Sequence, residues 1–201
     1  MSGMRSPKRN EVGGRLSSLA LPILTKRLVL RLPTLADTDS FMSEAHDPRL
    51  LQWFSKGSPP ETREEQIDTI RKIRKAARAG DSLSLGLFDR GSGASVGVIS
   101  LSSLNWGDMC AEIGYIVSPN HWGKGYATEA VAMLCAEAFG CLNLHRIEAQ
   151  VWPSNLASGR VLEKVGFHKE GTRRQCDLKG KTWLDCDTYG LLRGENRLGP
   201  T

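Results

Sequence analysis

The sequence predicts an α/β protein of mixed α+β type, a single domain built on a central mixed β-sheet flanked by helices. Three observations point there. An alternating apolar stretch from Met109 to Val117 leads to a run with helical period (Val131, Met133, Leu134, Ala136, Ala138), and a second alternating stretch, Arg146 to Val151, follows it. Strands before and after a crossover helix imply a mixed sheet with helices on both faces. At 201 residues the chain is long enough to bury a sizeable core within one domain.

Each element follows from local pattern. Arg27 to Leu32 alternates apolar and charged residues as an opening strand, and Pro33-Thr34 leads into a helix from Leu35 to about His46, closed by Asp47-Pro48. A second helix spans about Glu61 to Ala79 and stops at Gly80. Leu83, Leu85 and Leu87, then Val96, Val98, Ile99 and Leu101, mark two strands split by a turn from Asp89 to Ser95. Asn105-Trp106-Gly107-Asp108 is a hairpin signal into the central strand, Met109 to Val117. After Val151, Leu156 to Val165 reads as a short helix, and Phe167 to Cys176 with Trp183 to Leu192 as a terminal hairpin around Leu178-Lys179-Gly180-Lys181. Residues 1–24, with Arg5, Lys8, Arg9 and Arg15 among Ser, Gly and Pro, read as a flexible basic arm; 25–195 form the domain and 196–201 a tail.

The formal net charge of +5 is modest. Outside the arm it gathers at Arg71, Lys72, Arg74, Lys75 and Arg78, behind Glu61, Glu64, Glu65 and Asp68 on the same helix. Acid in front and base behind is what the helix dipole favours, and no aromatics interleave with the basic cluster, so direct nucleic-acid binding is not expected. No apolar run approaches the ~20 residues that span a bilayer. Leu19 to Leu24 is short and broken by Pro22, a poor secretory signal, so neither membrane attachment nor export is expected. Cys110, Cys135, Cys141, Cys176 and Cys186 form no C-x-x-C pair; their odd number and wide spacing suit a reduced, cytoplasmic protein. His46, His121, His145 and His168 are scattered, and no metal site is expected.

The run from His121 to Ala130 turns a strand into a helix through Gly123, Gly125 and Ala127. Small residues let backbone amides approach a ligand, and a helix start offers unpaired N–H groups and positive dipole to a phosphate. The order matches neither the nucleotide-triphosphate loop nor the three-glycine dinucleotide fingerprint. Lys124, between the glycines, can meet a pyrophosphate as a mobile point charge.

This loop resembles the acyl-CoA-binding motif of the Gcn5-related N-acetyltransferase (GNAT) superfamily: Gln or Arg, any two residues, Gly, any, then Gly or Ala. The pattern starts at Trp122 and continues through Gly125 to Ala127. Trp122 stands where many members carry Gln or Arg, and Trp is common there in the branch that acetylates protein N-termini on the ribosome. A second match is Asn155, Ser158 three residues on, then Gly166-Phe167, which recur in this order in that branch. The likeness covers roughly Leu24 to Glu195.

The resemblance implies a GNAT-like domain with a splayed sheet, acetyl-CoA as cosubstrate, and direct transfer of the acetyl group to a primary amine. The implied acceptor is the N-terminal α-amine of a protein such as a ribosomal protein. Small amines, polyamine or antibiotic, are the alternative acceptors, and a non-catalytic acyl-CoA sensor is the alternative of another class. Pantetheine is expected in a V between Gly114 to Ser118, including Ile116 and Val117, and Ala149 to Trp152, with Pro119 freeing Val117 backbone groups. The pyrophosphate is expected on the amides of Trp122, Gly123, Lys124, Gly125, Tyr126, Ala127 and Thr128.

Glu112 lies inside the apolar stretch Ala111 to Val117, where a carboxylate must face a cleft, the solvent or a partner. A regular strand puts Glu112, Gly114 and Ile116 on one face; a bulge would reset that parity. The resemblance makes Glu112 the base that draws a proton from the amine, directly or through water. Asn155 is placed to cap the short helix. By resemblance Asn155 also holds pantetheine or substrate, and Ser158 protonates the departing thiolate. Trp53, Phe54 and Tyr115 are candidates for the acceptor pocket, and Trp183 and Tyr189 on the terminal hairpin for a homodimer contact.

Overall fold

Alternating runs along the chain become eight strands of one open sheet in the computed structural model, which describes residues 16–54 and 59–198. The strands are β1 (Ile23–Leu24), β2 (Leu28–Arg31), β3 (Leu83–Asp89), β4 (Ser95–Asn105), β5 (Cys110–Val117), β6 (Arg146–Val151), β7 (His168–Lys179) and β8 (Thr182–Leu192). The helices are α1 (Thr38–Ala45), α2 (Pro48–Leu51), α3 (Arg63–Ala79), α4 (Tyr126–Gly140) and α5 (Leu156–Val165). The strand order is β1-β2-β3-β4-β5-β6-β8-β7. Every neighbouring pair is antiparallel except β5 and β6, which the crossover through α4 makes parallel.

The main core lies between the sheet and the α4/α5 layer. It joins Leu85, Ile99, Ile113, Ile147 and Leu191 to Leu134, Ala138, Leu162 and Val165. A smaller cluster of Phe41, Ile70 and Phe88 seats α1 and α3 on the opposite face. Helix α3 opens on a reciprocal cap between Thr62 and Glu65 and ends at Gly80, whose φ of 78° admits the left-handed turn that closes it. No helix among the described residues is long and apolar enough to cross a membrane.

Three local expectations change. Residues 1–15 of the expected arm lie outside the described residues, but Leu16 and Leu19 are buried in the main core and β1 pairs with β2. The packed chain therefore includes residues 16–24. Asp47-Pro48 does close α1, yet it also starts α2: the Asp47 side chain accepts from the Arg49 amide, and proline suits a first helical position. Cys176 and Cys186 form a disulfide across the terminal hairpin, their Cα atoms 6.2 Å apart, so the expectation of five reduced cysteines does not hold for this pair. The hairpin brings together two cysteines that their sequence spacing left unmatched.

Candidate active site

The parallel ladder between β5 and β6 is short. Cys110, Ala111 and Glu112 face Arg146, Ile147 and Glu148, and the pairing ends there. Beyond that point β5 continues only against β4, as far as Val117 opposite Gly97, while β6 continues against β8, as far as Val151 opposite Asp187. The sheet thus opens into a V between residues 113–117 and 149–151. The Val117 carbonyl, expected to be free, accepts the indole N–H of Trp122 at 2.6 Å.

At the mouth of the V, Gly123 and Gly125 adopt φ of 73° and 80°, and Gly125 caps α4. Only glycine enters this left-handed region without strain. The first bond of the helix runs from the Glu129 amide to the Gly125 carbonyl at 3.1 Å, so the amides of Tyr126, Ala127 and Thr128 precede any intrahelical acceptor. No heavy atom lies within 4 Å of where a Cβ on Gly123 would sit, leaving backbone open to an anion. The residues present fit a pyrophosphate. The Trp122 amide donates instead to the Pro119 carbonyl, and the residue is 42% exposed.

The loop is held from below by residues that sequence reasoning missed. Glu129, in the first turn of α4, accepts from the Thr25 hydroxyl at 2.6 Å, the Arg27 amide at 2.8 Å and Arg27 Nε at 2.7 Å. Burial pushes its carboxyl up, but these bonds win and hold it below the ordinary range. Arg27 also donates to the Lys124 carbonyl at 2.8 Å and lies over the Tyr126 ring. Tyr126 in turn donates to Asp89 at 2.9 Å. An acid near an anion site is thereby neutralised, and the loop backbone is fixed by the turn between β1 and β2 and by the end of β3. No local signal links Thr25 or Arg27 to Glu129 across a hundred residues.

Strand β5 is regular from Glu112 to Val117, with no register shift in its pairing to β4 over that stretch. Ala111, Ile113, Tyr115 and Val117 accordingly face the α4/α5 core, and Glu112, Gly114 and Ile116 face the other side. Glu112 is half-buried. Burial pushes its carboxyl above the ordinary range, the like charge of Glu148 pushes the same way, and Arg173 opposes them. A raised carboxylate is a better proton acceptor near neutral pH.

Ser158 belongs to the opposite layer. Asn155 caps α5, its side-chain oxygen accepting from the Ser158 amide at 3.1 Å. Tyr115, a candidate for the acceptor pocket, instead reaches across to α5: its hydroxyl lies 2.8 Å from Ser158 Oγ and donates to the Ser158 carbonyl at 3.0 Å. Burial drives the phenol pKa up, beyond the countering effect of Ser158, so Tyr115 keeps its proton. The strand alternation puts Tyr115 on the face of Ile113 and Val117, but it does not give Ser158 as its partner. Glu112 and Ser158 thus stand on opposite faces of the sheet, and the V joins those faces.

At the far edge of the V, Trp53 and Trp152 have ring centroids 6.5 Å apart. Trp152 donates to Asp177 at 3.0 Å, and Lys179 of the terminal hairpin lies over its ring and donates to the Gln52 carbonyl. The segment after α2 and the terminal hairpin therefore meet at Trp152. Tyr189 is only 5% exposed and packs in the main core, which removes it from any contact surface; Trp183 is 57% exposed.

An open V beside a glycine-lined helix start, with polar groups on both faces, is an arrangement that can hold an acyl-CoA. The acetyltransferase (GNAT) domain family matches residues 27–168, and the chain belongs to that family. The uncharacterized N-acetyltransferase p20 of Bacillus licheniformis is 31% identical over 173 residues, 86% of this chain and 97% of its own. The [ribosomal protein uS5]-alanine N-acetyltransferase of Escherichia coli is 31% identical over 114 residues, 56% of this chain and 59% of its own. Among solved structures, RimJ of Mycobacterium smegmatis in complex with CoA-disulfide is 27% identical with a TM-score of 0.75, over 84% of this chain and 83% of that one. The protein is an acetyl-CoA-dependent N-acetyltransferase.

Proposed function

We propose that the acceptor is a protein N-terminal α-amine, such as that of a ribosomal protein, and that the acetyl group moves to it directly. The observation that carries this reading is the gap in the sheet, with Glu112 on one face and Ser158 on the other. Acetyl-CoA lies in the gap, its pyrophosphate on the amides from Gly123 to Thr128 and its pantetheine along Ile116 and Val117, with Asn155 at the start of α5 beside it. The amine approaches from the Glu112 face. As its nitrogen bonds to the thioester carbonyl carbon, Glu112 takes the amine proton and passes it to solvent, the C–S bond breaks, and Ser158 gives a proton to the departing thiolate and regains one from solvent while Tyr115 holds the Ser158 hydroxyl in place. An α-amine has a pKa near 8, so a base of raised pKa supplies the neutral nucleophile at pH 7.

The partial likeness to the ribosomal-protein alanine acetyltransferase favours an N-terminal acceptor. Such an acceptor goes with a cytoplasmic protein. Exposed Trp183 and Leu178 on the terminal hairpin supply the surface of a homodimer; sedimentation equilibrium giving twice the 22.1 kDa chain mass supports it, and the mass of one chain refutes it. The acceptor is tested by thiol release against N-terminal peptides, polyamines and aminoglycosides. Turnover of peptides beginning with Ala or Ser, above that of free amines, is the expected result. Preference for a polyamine overturns the acceptor class, and tight acetyl-CoA binding without turnover of any amine overturns the enzyme mechanism.

A further inference from the structure

The face of the sheet that carries Glu112 has a chain of charges running away from it. Glu112 on β5 is the register partner of Glu148 on β6, across strands that lie about 4.8 Å apart. Glu148 accepts from Arg146 Nε at 2.7 Å. The two terminal nitrogens of Arg146 are turned the other way, onto both carboxylate oxygens of Glu170 on β7, the first at 2.8 Å. Strand β8 lies between β6 and β7, so the Arg146–Glu170 pair must cross it. It does so over Gly190: a Cβ there would sit 2.5 Å from Glu170 Oε1 and 2.7 Å from both terminal nitrogens of Arg146. Gly190 is the register partner of both Glu148 and His168, and its missing side chain is the passage for this ion pair.

We propose that Glu148 is a positioning residue for the acetyl transfer, setting the basicity of Glu112 with a negative charge that Arg146, shared with Glu170 over Gly190, leaves only partly neutralised. It rests on the reading of Glu112 as base. One guanidinium facing two carboxylates leaves the trio with a net charge of −1 beside Glu112. That charge disfavours ionisation of Glu112 and so makes it a stronger base. The other groups facing Glu112 are Arg173, which reaches Gln150 of β6 from β7 and pulls the opposite way, and the uncharged Ser102 of β4. Arg146, Glu148 and Glu170 are all partly solvent-exposed, where ion pairs add little to stability, so removing one leaves the fold and changes the field.

The test uses the full chain with carboxyl-labelled glutamate, following the Glu112 titration by carbon-13 NMR and assigning it by its loss in Glu112→Gln. Glu148→Gln lowers the Glu112 midpoint by about half a pH unit or more, the size of one unit charge at this spacing in a largely aqueous medium. Arg146→Met raises it, because both carboxylates are then uncompensated. A purely structural role for the trio does not move the two variants in opposite directions. An unchanged midpoint in Glu148→Gln, or a shift of the same sign in both, overturns the proposal. The acid limb of kcat/KM is measured in parallel: if Glu112→Gln keeps the wild-type limb, the base assignment fails whatever the NMR midpoints show.

Discussion

The Tyr115 hydroxyl lies 2.8 Å from Ser158 Oγ, a bond between β5 and α5 made across the opening of the sheet. It fixes the serine proposed to act at the sulfur, and it does so from a strand whose other face carries Glu112. Tyr115→Phe keeps the ring and loses the bond. Thiol release is expected to fall about tenfold, the worth of one hydrogen bond to a reacting group, with acetyl-CoA affinity nearly unchanged. Ser158→Ala is expected to lose more, and the double variant no more than Ser158→Ala alone. Equal and additive losses would separate the two residues.

The pyrophosphate loop makes a prediction about binding alone. Gly125 sits at φ of 80°, where any L side chain is strained, and Arg27 Nη2 lies 3.4 Å from where a Cβ would point. Gly125→Val is expected to abolish acetyl-CoA binding in calorimetry while the protein remains folded by circular dichroism. Arg27→Met, which strips the Lys124 carbonyl and Glu129 of their partner, is expected to weaken binding by about tenfold. Near-native affinity in the Gly125 variant would place the pyrophosphate elsewhere.

The pH dependence of transfer follows from Glu112. Its pKa is raised chiefly by burial, so in its proposed role as base it becomes competent as pH rises through a value above the ordinary carboxylate range and is lost below it. Glu112→Gln is expected to lower kcat by 10²–10⁴, most at low pH, and to regain part of the loss as the amine deprotonates unaided. An unchanged pH–rate profile would leave a backbone-held water as the better candidate.

A second raised carboxyl bears on stability. Glu44 of α1 is half-buried near the Ser95 hydroxyl, and burial outweighs that bond to bring its pKa to about 7. A folded-state value above the unfolded one means the native protein holds the proton more tightly. The favourable contribution is complete below about pH 4 and is lost as pH climbs toward and past 7. Glu44→Gln is therefore expected to raise the melting temperature at pH 8 by a few degrees and to change it little at pH 4, as read by calorimetry. Equal effects at both pH values would point to packing.

The order of elements was legible because most follow from period and punctuation. Helix α5 falls at Leu156–Val165 and β6 at Arg146–Val151, as their local patterns predict. Helix α3 begins at Arg63 because Thr62 serves as its cap. What local pattern could not carry were contacts between distant segments: Thr25 and Arg27 under Glu129, Arg146 over Gly190 to Glu170, and Tyr115 against Ser158. The parity of Glu112 depended on whether β5 bulged. The irregularity falls earlier, between Ser102 and Asn105 of β4, and spares that stretch. Leu16 and Leu19 escaped notice because the polar residues around them have the composition of an arm, while packing needed only two leucines.

Among the described residues, three register pairs are all that stitch β1–β5 to the remaining strands through the sheet itself. Mechanically the protein is two half-sheets with a partial seam, and a long, amide-bearing chain laid in the open section would close it as an added strand does. Occupancy should then stiffen the whole molecule as well as fill its site, slowing amide exchange on β5 and β6 together. If CoA lies there as proposed, the thiol product would have to be peeled from both edges, and its release would be coupled to the breathing of the two halves.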